Sequence, residues 1–197
     1  MLGGVYAFVS RERGARQRKR EREEAAREEH ARAQRERILR LFDQFMSPRV
    51  SVARHQLWTV SRAWAAGDRG ALEYFLLGAE PVSDEGPLCQ NGLTPYQNLS
   101  FMLSFFVSLQ MYIEKDLVDQ DLARQLFQRF FAWYQRFLSD FVEAYLECRS
   151  RDNGPLPFWV VAIPKLKLFM NEGLSGRSIE PAEASPGYDR HRVHFDA

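Results

Sequence analysis

The sequence has few cysteines, and neither belongs to a recognisable motif. Cys89 falls in a predicted loop and Cys148 near the end of a predicted helix, and these are the two cysteines in 197 residues. Disulfide scaffolds and zinc sites need several cysteines or histidines at short, regular spacing. The sequence therefore lacks a zinc motif and predicts two free thiols in a reducing compartment.

Catalytic signatures are also missing. The chain has no serine nucleophile elbow, no glycine-rich phosphate loop and no dinucleotide fingerprint. Its histidines are expected on the surface or in the C-terminal tail, where two histidines three apart match a metal pair poorly: His30, His55, His191 and His194. We therefore predict that the protein is not an enzyme and uses no cofactor or metal.

One cluster of carboxylates deserves comparison with a catalytic pair. It falls at a predicted turn between two helices, where helix caps and solvated turn residues account for it: Glu114, Asp116, Asp119 and Asp121. Acid–base catalysis would need such groups, or His55, to be held in a pocket with shifted pKa values.

Net charge is small, but the basic residues are concentrated near the N-terminus. The whole chain carries +1, whereas residues 11–20 hold six Lys or Arg and one Glu, a local net of +5. A basic cluster of this kind binds polyanions, either an anionic membrane surface or a nucleic acid. The candidate binding residues are Arg11, Arg13, Arg16, Arg18, Lys19, Arg20 and Arg22.

Nine uncharged residues, MLGGVYAFV, precede this basic cluster. A secretory signal places its positive charges before the apolar run, so the order here argues against one. Nine residues are also too few to span a bilayer. Two interpretations stay open: the end of a membrane anchor whose native start lies upstream, or a short hydrophobic tip that packs on the domain.

The segment that follows, the charged arm (residues 11–37), is predicted to be a solvated helix. Between residues 11 and 40, 19 of 30 side chains are charged, and the rest are mostly Ala or Gln, which favour helix. No apolar seam of the coiled-coil type is present. Apolar residues begin at Ile38, so the last two turns are expected to dock on the core, which makes the arm a spacer or a surface-binding element.

Two shorter helices are predicted next. Ser47 and Pro48 form a helix start, and the helix continues to Gly67. Its expected apolar face consists of Val50, Leu57, Trp58, Val60 and Trp64. Asp68 caps a short helix that ends near Gly78, and residues 79–92 form a loop that is either functional or merely connecting.

Thr94 and Pro95 begin a helix that ends near Glu114. It carries no charge up to Ile113, so its length approaches that needed to cross a bilayer. Its Gln, Asn and Ser residues favour a buried helix of a soluble bundle. Serines at four-residue spacing would let a second helix approach closely: Ser100, Ser104 and Ser108.

Asp119 caps the next helix, which carries two apolar stripes. The first consists of Leu122, Leu126, Phe130, Trp133, Phe137, Phe141 and Tyr145. The second consists of Phe127, Phe131, Tyr134, Leu138 and Val142. Because the two stripes together exceed the usual apolar third of a helix surface, this helix is predicted to be central.

The C-terminal part reads as an extended apolar segment, PLPFWVVAIP, followed by a short helix that begins at Pro164. Residues 173–197 are rich in Pro, Gly and Ser and are predicted to form a flexible tail. The predicted organisation is an apolar N-terminus (1–10), the charged arm (11–37), a helical domain (38–172) and the tail (173–197).

Over about residues 38–148 the pattern resembles the bacterial domain-of-unknown-function family 4760. The resemblance rests on Asn98 early in one long helix, the LVDQDL turn with Asp119 and Leu122, and the aromatic helix with Trp133 and Tyr134. The family implies no established activity and no catalytic residues. Many of its members have an N-terminal membrane helix, whereas this sequence has nine apolar residues there.

The sequence thus predicts an all-α protein, a bundle of four to five helices with a long charged N-terminal helix. Its expected function is a non-enzymatic interaction or regulatory module at the cytoplasmic face of a membrane. The expected partners are an anionic membrane surface and an unidentified protein. The alternative is a soluble helical protein that binds nucleic acid through the same basic residues.

Overall fold

A computed structural model describes residues 3–77, 90–149 and 155–172, with side chains from Gln17 onward. Six helices and no strand occur in these ranges, which confirms the predicted all-α class. The helices are α1 (Gly3–Met46), α2 (Pro48–Ala65), α3 (Gly70–Leu77), α4 (Pro95–Glu114), α5 (Gln120–Arg149) and α6 (Phe158–Glu172). Most of the predicted loop after Gly78 and the predicted tail from residue 173 lie outside the described residues.

Local capping sets the start of the two longest core helices. The Thr94 hydroxyl accepts a hydrogen bond from the Gln97 amide (3.2 Å), and the Gln97 side chain accepts one from the Thr94 amide (3.0 Å). The Asp119 carboxylate accepts a hydrogen bond from the Leu122 amide (3.0 Å). Both predicted starts are confirmed. Ser47 occupies the cap position before Pro48, but its side chain makes no capping hydrogen bond.

Helices α2, α4, α6 and α5 pack in cyclic order, each against the next, and α5 returns to α2. The end of α1 packs on α2 and α5, and α3 packs on α5. Between α4 and α5 the contact is made by large rings: Phe105 with Phe127 at 5.9 Å and Phe106 with Phe131 at 5.5 Å between centroids. Helix α5 therefore contacts all the other described helices, as expected of a central helix.

The two stripes of α5 differ in burial. All five residues of the second stripe are buried, and so are the last three of the first. Of the first four, Leu122, Leu126 and Phe130 are half-buried and pack against the core, whereas Trp133 is 55% exposed. Trp58 of α2, expected on the apolar face, is 49% exposed.

The predicted extended segment before Pro164 is helical, and Pro164 lies inside α6 instead of starting it. The buried residues of α6 recur with helical spacing: Trp159, Val160, Ala162, Ile163, Leu166 and Met170. The two prolines that precede Phe158 can stand before a helix without loss, because the first turn has no intrahelical donors to lose. Burial of one helical face therefore outweighs the β-branched residues that suggested an extended chain.

The serine row of α4 does not form a close helix contact. Ser104 and Ser108 are exposed, and the hydroxyls of all three serines donate to carbonyls four residues earlier, at 2.9–3.2 Å. The opposite face of α4 is buried, from Leu99 to Ile113. None of the described helices combines the length and apolar character that a bilayer crossing requires.

Candidate functional site

The predicted polyanion-binding residues lie in the distal half of α1. Arg11, Arg13 and Arg16 belong to the helical backbone, and their side chains lie outside the description. The other four are exposed: Arg18, Lys19, Arg20 and Arg22. The Lys19 ammonium lies 3.9 Å from the Glu23 carboxylate, which is long for an ion pair. These four side chains are thus accessible to a large anionic partner.

The described basic side chains surround the helix instead of forming one stripe. At about 100° per residue, Arg18 and Arg22 lie on the same side of α1, whereas Arg20 lies roughly opposite both. A flat anionic surface therefore contacts one side of the cluster at a time. Between residues 21 and 40 six glutamates balance six arginines, so the part of the helix nearer the core is neutral.

The arm is fastened to the turn between α4 and α5. The Gln34 amide donates to the Asp116 carbonyl (2.7 Å), the Arg37 guanidinium donates to the Leu117 carbonyl, and Arg35 pairs with the Asp119 carboxylate (3.0 Å). These contacts join residues 80 to 84 positions apart in the sequence. They fix the direction in which α1 leaves the core, so the basic cluster is held away from it.

A second site, not expected from the sequence, lies between α2 and α5. We call it the tryptophan groove, because the exposed indoles of Trp58 and Trp133 line both of its adjoining depressions, of about 510 and 470 Å³. The first depression is also lined by Ser51, Arg54, His55 and Tyr134. The second is also lined by Ser61, Arg62, Trp64, Ala65, Arg69, Arg136, Phe137 and Asp140.

The groove is positively charged. Four arginines and a single carboxylate, Asp140, line its two depressions, a net of +3 with His55 neutral. Helix α2 contains no acidic residue at all. Within the described ranges, the exposed Arg62 and Arg136 make no ion pair with a carboxylate. The groove can therefore accept negative charge from a ligand.

Arg54 and Tyr134 form the rigid end of the groove. The Tyr134 hydroxyl donates to the Arg54 carbonyl (3.0 Å), and the Arg54 guanidinium lies over the rings of Phe45 (4.6 Å) and Phe130 (5.4 Å). Its buried Nε atom has no hydrogen-bond partner within the described ranges. Burial lowers the pKa of Arg54, and burial raises the pKa of Tyr134 although the charge of Arg54 opposes that rise.

The residues considered for catalysis do not come together. His55 is exposed on the groove wall, His30 is exposed on the arm, and His191 and His194 lie outside the described residues. No group of three or more potential metal ligands (His, Cys, Asp or Glu) occurs in the part of the chain that is described. Cys148 is an exposed free thiol, and Cys89 lies outside the description.

The acidic turn is held by structural contacts. Hydrogen bonds from Lys165 (2.7 Å) and Gln110 (2.9 Å) lower the pKa of Glu114. The hydrogen bond from the Leu122 amide and the pairing with Arg35 lower the pKa of Asp119 below its ordinary value. Lowered values keep both carboxylates ionised, which suits ion pairing and capping.

Sequence reasoning missed the groove because it placed both tryptophans in the core. The sequence did hold one relevant feature, since each tryptophan is next to another large side chain that could face the core in its place. Leu57 precedes Trp58, and Tyr134 follows Trp133. Neighbours on a helix point about 100° apart, so where one side of a helix is exposed, two adjacent large side chains need not both face the core. Leu57 and Tyr134 are the buried members of these pairs.

Comparison with known proteins gives no relative. The resemblance to family 4760 is therefore still a prediction. No family model, curated protein or solved structure matches the chain.

Proposed function

We propose that this protein is a non-enzymatic interaction module, a helical bundle that binds an anionic membrane surface at the cytoplasmic face through the basic end of α1. The observation that carries the proposal is that the exposed Arg18, Lys19, Arg20 and Arg22 lie in the distal half of a helix whose other end is fastened to the core. Between Arg22 and the first fastened residue, Gln34, the helix rises about 18 Å.

Charge supports the same function. Basic residues near an anionic membrane contribute about 1 kcal/mol each to binding. The local net of +5 between residues 11 and 20 is followed by a neutral stretch, so attraction is confined to the end of the arm. The uncharged residues 1–9 lie next to this cluster and would add apolar contact with the interface.

Flotation of the full-length protein with vesicles tests the proposal. The protein should float with phosphatidylglycerol-containing vesicles at low salt, and less with pure phosphatidylcholine vesicles or at high salt. A variant lacking residues 1–22, or carrying Arg18→Glu and Arg20→Glu, should stay at the bottom. The charge-matched control carries Arg27→Glu and Arg32→Glu, which lie in the neutral stretch, and should still float.

Two outcomes would reject the proposal. One is that the full-length protein stays at the bottom with anionic vesicles at low salt. The other is equal flotation of both charge-reversal variants, which would mean that the basic end has no special part. Salt-sensitive binding of DNA or RNA by the full-length protein, lost with Arg16, Arg18, Lys19 and Arg20 replaced by Glu and seen without vesicle binding, would favour the nucleic-acid alternative.

A further inference from the structure

The tryptophan groove exposes more aromatic surface than the fold requires. Trp58 and Trp133 are each about half exposed, on two helices that face each other. Single exposed apolar residues are ordinary on protein surfaces, whereas two indoles that line the same depression form a contiguous apolar patch. Tryptophan, tyrosine and arginine are the residues that dominate binding energy at protein interfaces, and all three line this groove.

The two indoles leave space between them. Both line the two depressions, yet the described ring contacts of Trp133 are with Phe130 (5.7 Å) and the Arg129 guanidinium (5.9 Å), not with Trp58. Volumes near 500 Å³ accommodate a large apolar side chain with some of its backbone. The groove is therefore shaped for an anchor residue that inserts between the two rings.

The rim of the groove specifies the charge of the ligand. Arg62 and Arg136 are exposed on opposite walls and have no carboxylate partner within the described ranges, and Arg69 lies over the ring of Trp64 at 4.0 Å. A basic or neutral ligand would leave these charges unmatched. Carboxylates on both sides of an anchor residue would form charge-assisted, bidentate hydrogen bonds with the two exposed guanidinium groups.

We propose that the tryptophan groove is a docking site for an acidic segment of a partner protein that carries one large apolar anchor residue. A single-stranded nucleic acid fits less well. Such ligands stack successive bases on open ring faces, whereas Trp133 already has Phe130 and Arg129 against it.

This inference names the kind of partner for the interaction module proposed above and rests on that role, but it uses residues remote from the basic end of α1. The two proposals can therefore fail separately. Vesicle flotation reports on the arm, whereas peptide binding reports on the groove. Removal of residues 1–22 should leave peptide binding unchanged.

Selection from a random 12-residue peptide library displayed on phage tests the groove. The full-length protein is the target, and binding of the enriched peptides to the Trp58→Ala/Trp133→Ala variant is measured afterwards. Enriched peptides should carry several Asp or Glu around one Leu, Phe or Trp. In protein labelled with 5-fluorotryptophan, these synthetic peptides should shift the fluorine signals of Trp58 and Trp133 and leave in place that of Trp159, which is buried and lines neither depression.

Charge reversal supplies a second, independent variant. Arg62→Glu with Arg136→Glu should weaken peptide binding at least tenfold, whereas the control Arg27→Glu with Arg32→Glu, the same change of charge on the arm, should not. The proposal is overturned if no peptide is enriched, if the enriched peptides show no excess of acidic residues, or if they bind the tryptophan double variant equally well. Tighter binding of a 12-nucleotide oligothymidylate that shifts the same two signals would reassign the groove to nucleic acid.

Discussion

The guanidinium of Arg54 lies over the ring of Phe45, with 4.6 Å between its central carbon and the ring centroid. This contact joins the last turn of α1 to the wall of the tryptophan groove. Phe45 itself is fully buried and also contacts Phe105, Phe127 and Phe130 at 5.0–5.3 Å between centroids. The base of the arm and the groove therefore share one packed cluster.

Replacement of Phe45 by Ala should cost about 3–5 kcal/mol of unfolding free energy, because it leaves a cavity among three rings and removes the surface on which Arg54 rests. Phe158→Ala is the matched control. Its ring is 84% exposed, so the same substitution there should change stability by less than about 0.5 kcal/mol. Urea unfolding followed by circular dichroism measures both, and equal losses would contradict the assigned burial.

Two substitutions distinguish the contribution of the apolar chain of Arg54 to stability from that of its charge. Arg54→Ala should destabilise the protein by about 1–2 kcal/mol, since it removes side-chain packing and two cation–π contacts. Arg54→Met should recover most of that loss, because it keeps an unbranched chain over the rings and removes the unpartnered buried Nε. Urea unfolding of both variants decides the point. If Met were as harmful as Ala, the charge of Arg54 would matter more than its packing.

Tyr134→Phe should lower stability by about 1 kcal/mol, because it removes the hydrogen bond that ties α5 to α2. Burial raises the pKa of Tyr134 above its ordinary value of 10.0, so its contribution is complete below pH 10 and declines as pH rises through the folded-state pKa. The difference between wild type and variant should shrink at alkaline pH. Tyr112→Phe, which removes a hydroxyl without a described partner, should show neither effect.

Asp119→Ala should cost about 1 kcal/mol by removing the cap of α5, whereas Asp119→Asn keeps an acceptor for the Leu122 amide and should cost less. The pKa of Asp119 is lowered from 3.8, so its ionised form stabilises the fold above that value and the benefit is lost as pH falls through the lower folded-state pKa. Unfolding at pH 7 and pH 3 should therefore show the penalty of Asp119→Asn shrinking in acid. Asp43→Asn, at an exposed position of α1, should leave the free energy of unfolding unchanged at both pH values.

Pro164→Ala should stabilise the protein by about 1–3 kcal/mol. An interior proline deprives the helix of one amide donor and crowds the preceding turn, and alanine restores both at the cost of a more flexible unfolded chain. Pro164 is exposed, so the change leaves no cavity. Pro157→Ala just before α6 restores no intrahelical hydrogen bond and should not stabilise the protein. A lower melting temperature for Pro164→Ala would show that the entropy gained by the unfolded chain outweighs the restored hydrogen bond and the relieved crowding.

Local signals in the sequence predict where helices exist and where they begin. The periodicity of apolar residues gives the all-α class, and the side chains of Thr94 and Asp119 mark helix starts because their capping partners lie three residues away. Such information is carried by a few neighbouring residues. The fastening of Gln34 to the Asp116 carbonyl joins residues 82 positions apart, so it depends on tertiary packing that no local pattern encodes.

The sequence did not determine how each helix is rotated about its axis, and this rotation decides which side chains face the interior. Trp58 and Trp133 are apolar enough to be assigned to the core, and only the positions of neighbouring helices decide that Leu57 and Tyr134 take the interior instead. The same reason explains α6, where a buried helical face overrides the β-branched residues before Pro164. The candidate groove could not be predicted from the sequence, because it consists of large apolar residues that remain exposed after the helices have packed.

The length of α1 has a consequence for how its two ends act together. Along the helix, Arg22 lies about 35 Å from Phe45, whereas charges in physiological salt are screened over about 8 Å. An anion bound at the basic end therefore has no significant electrostatic interaction with the arginines around Trp58 and Trp133. Occupation of one end should leave the intrinsic affinity of the other unchanged. Any mutual enhancement would arise from tethering both ligands at high effective concentration, which the span of the helix would set.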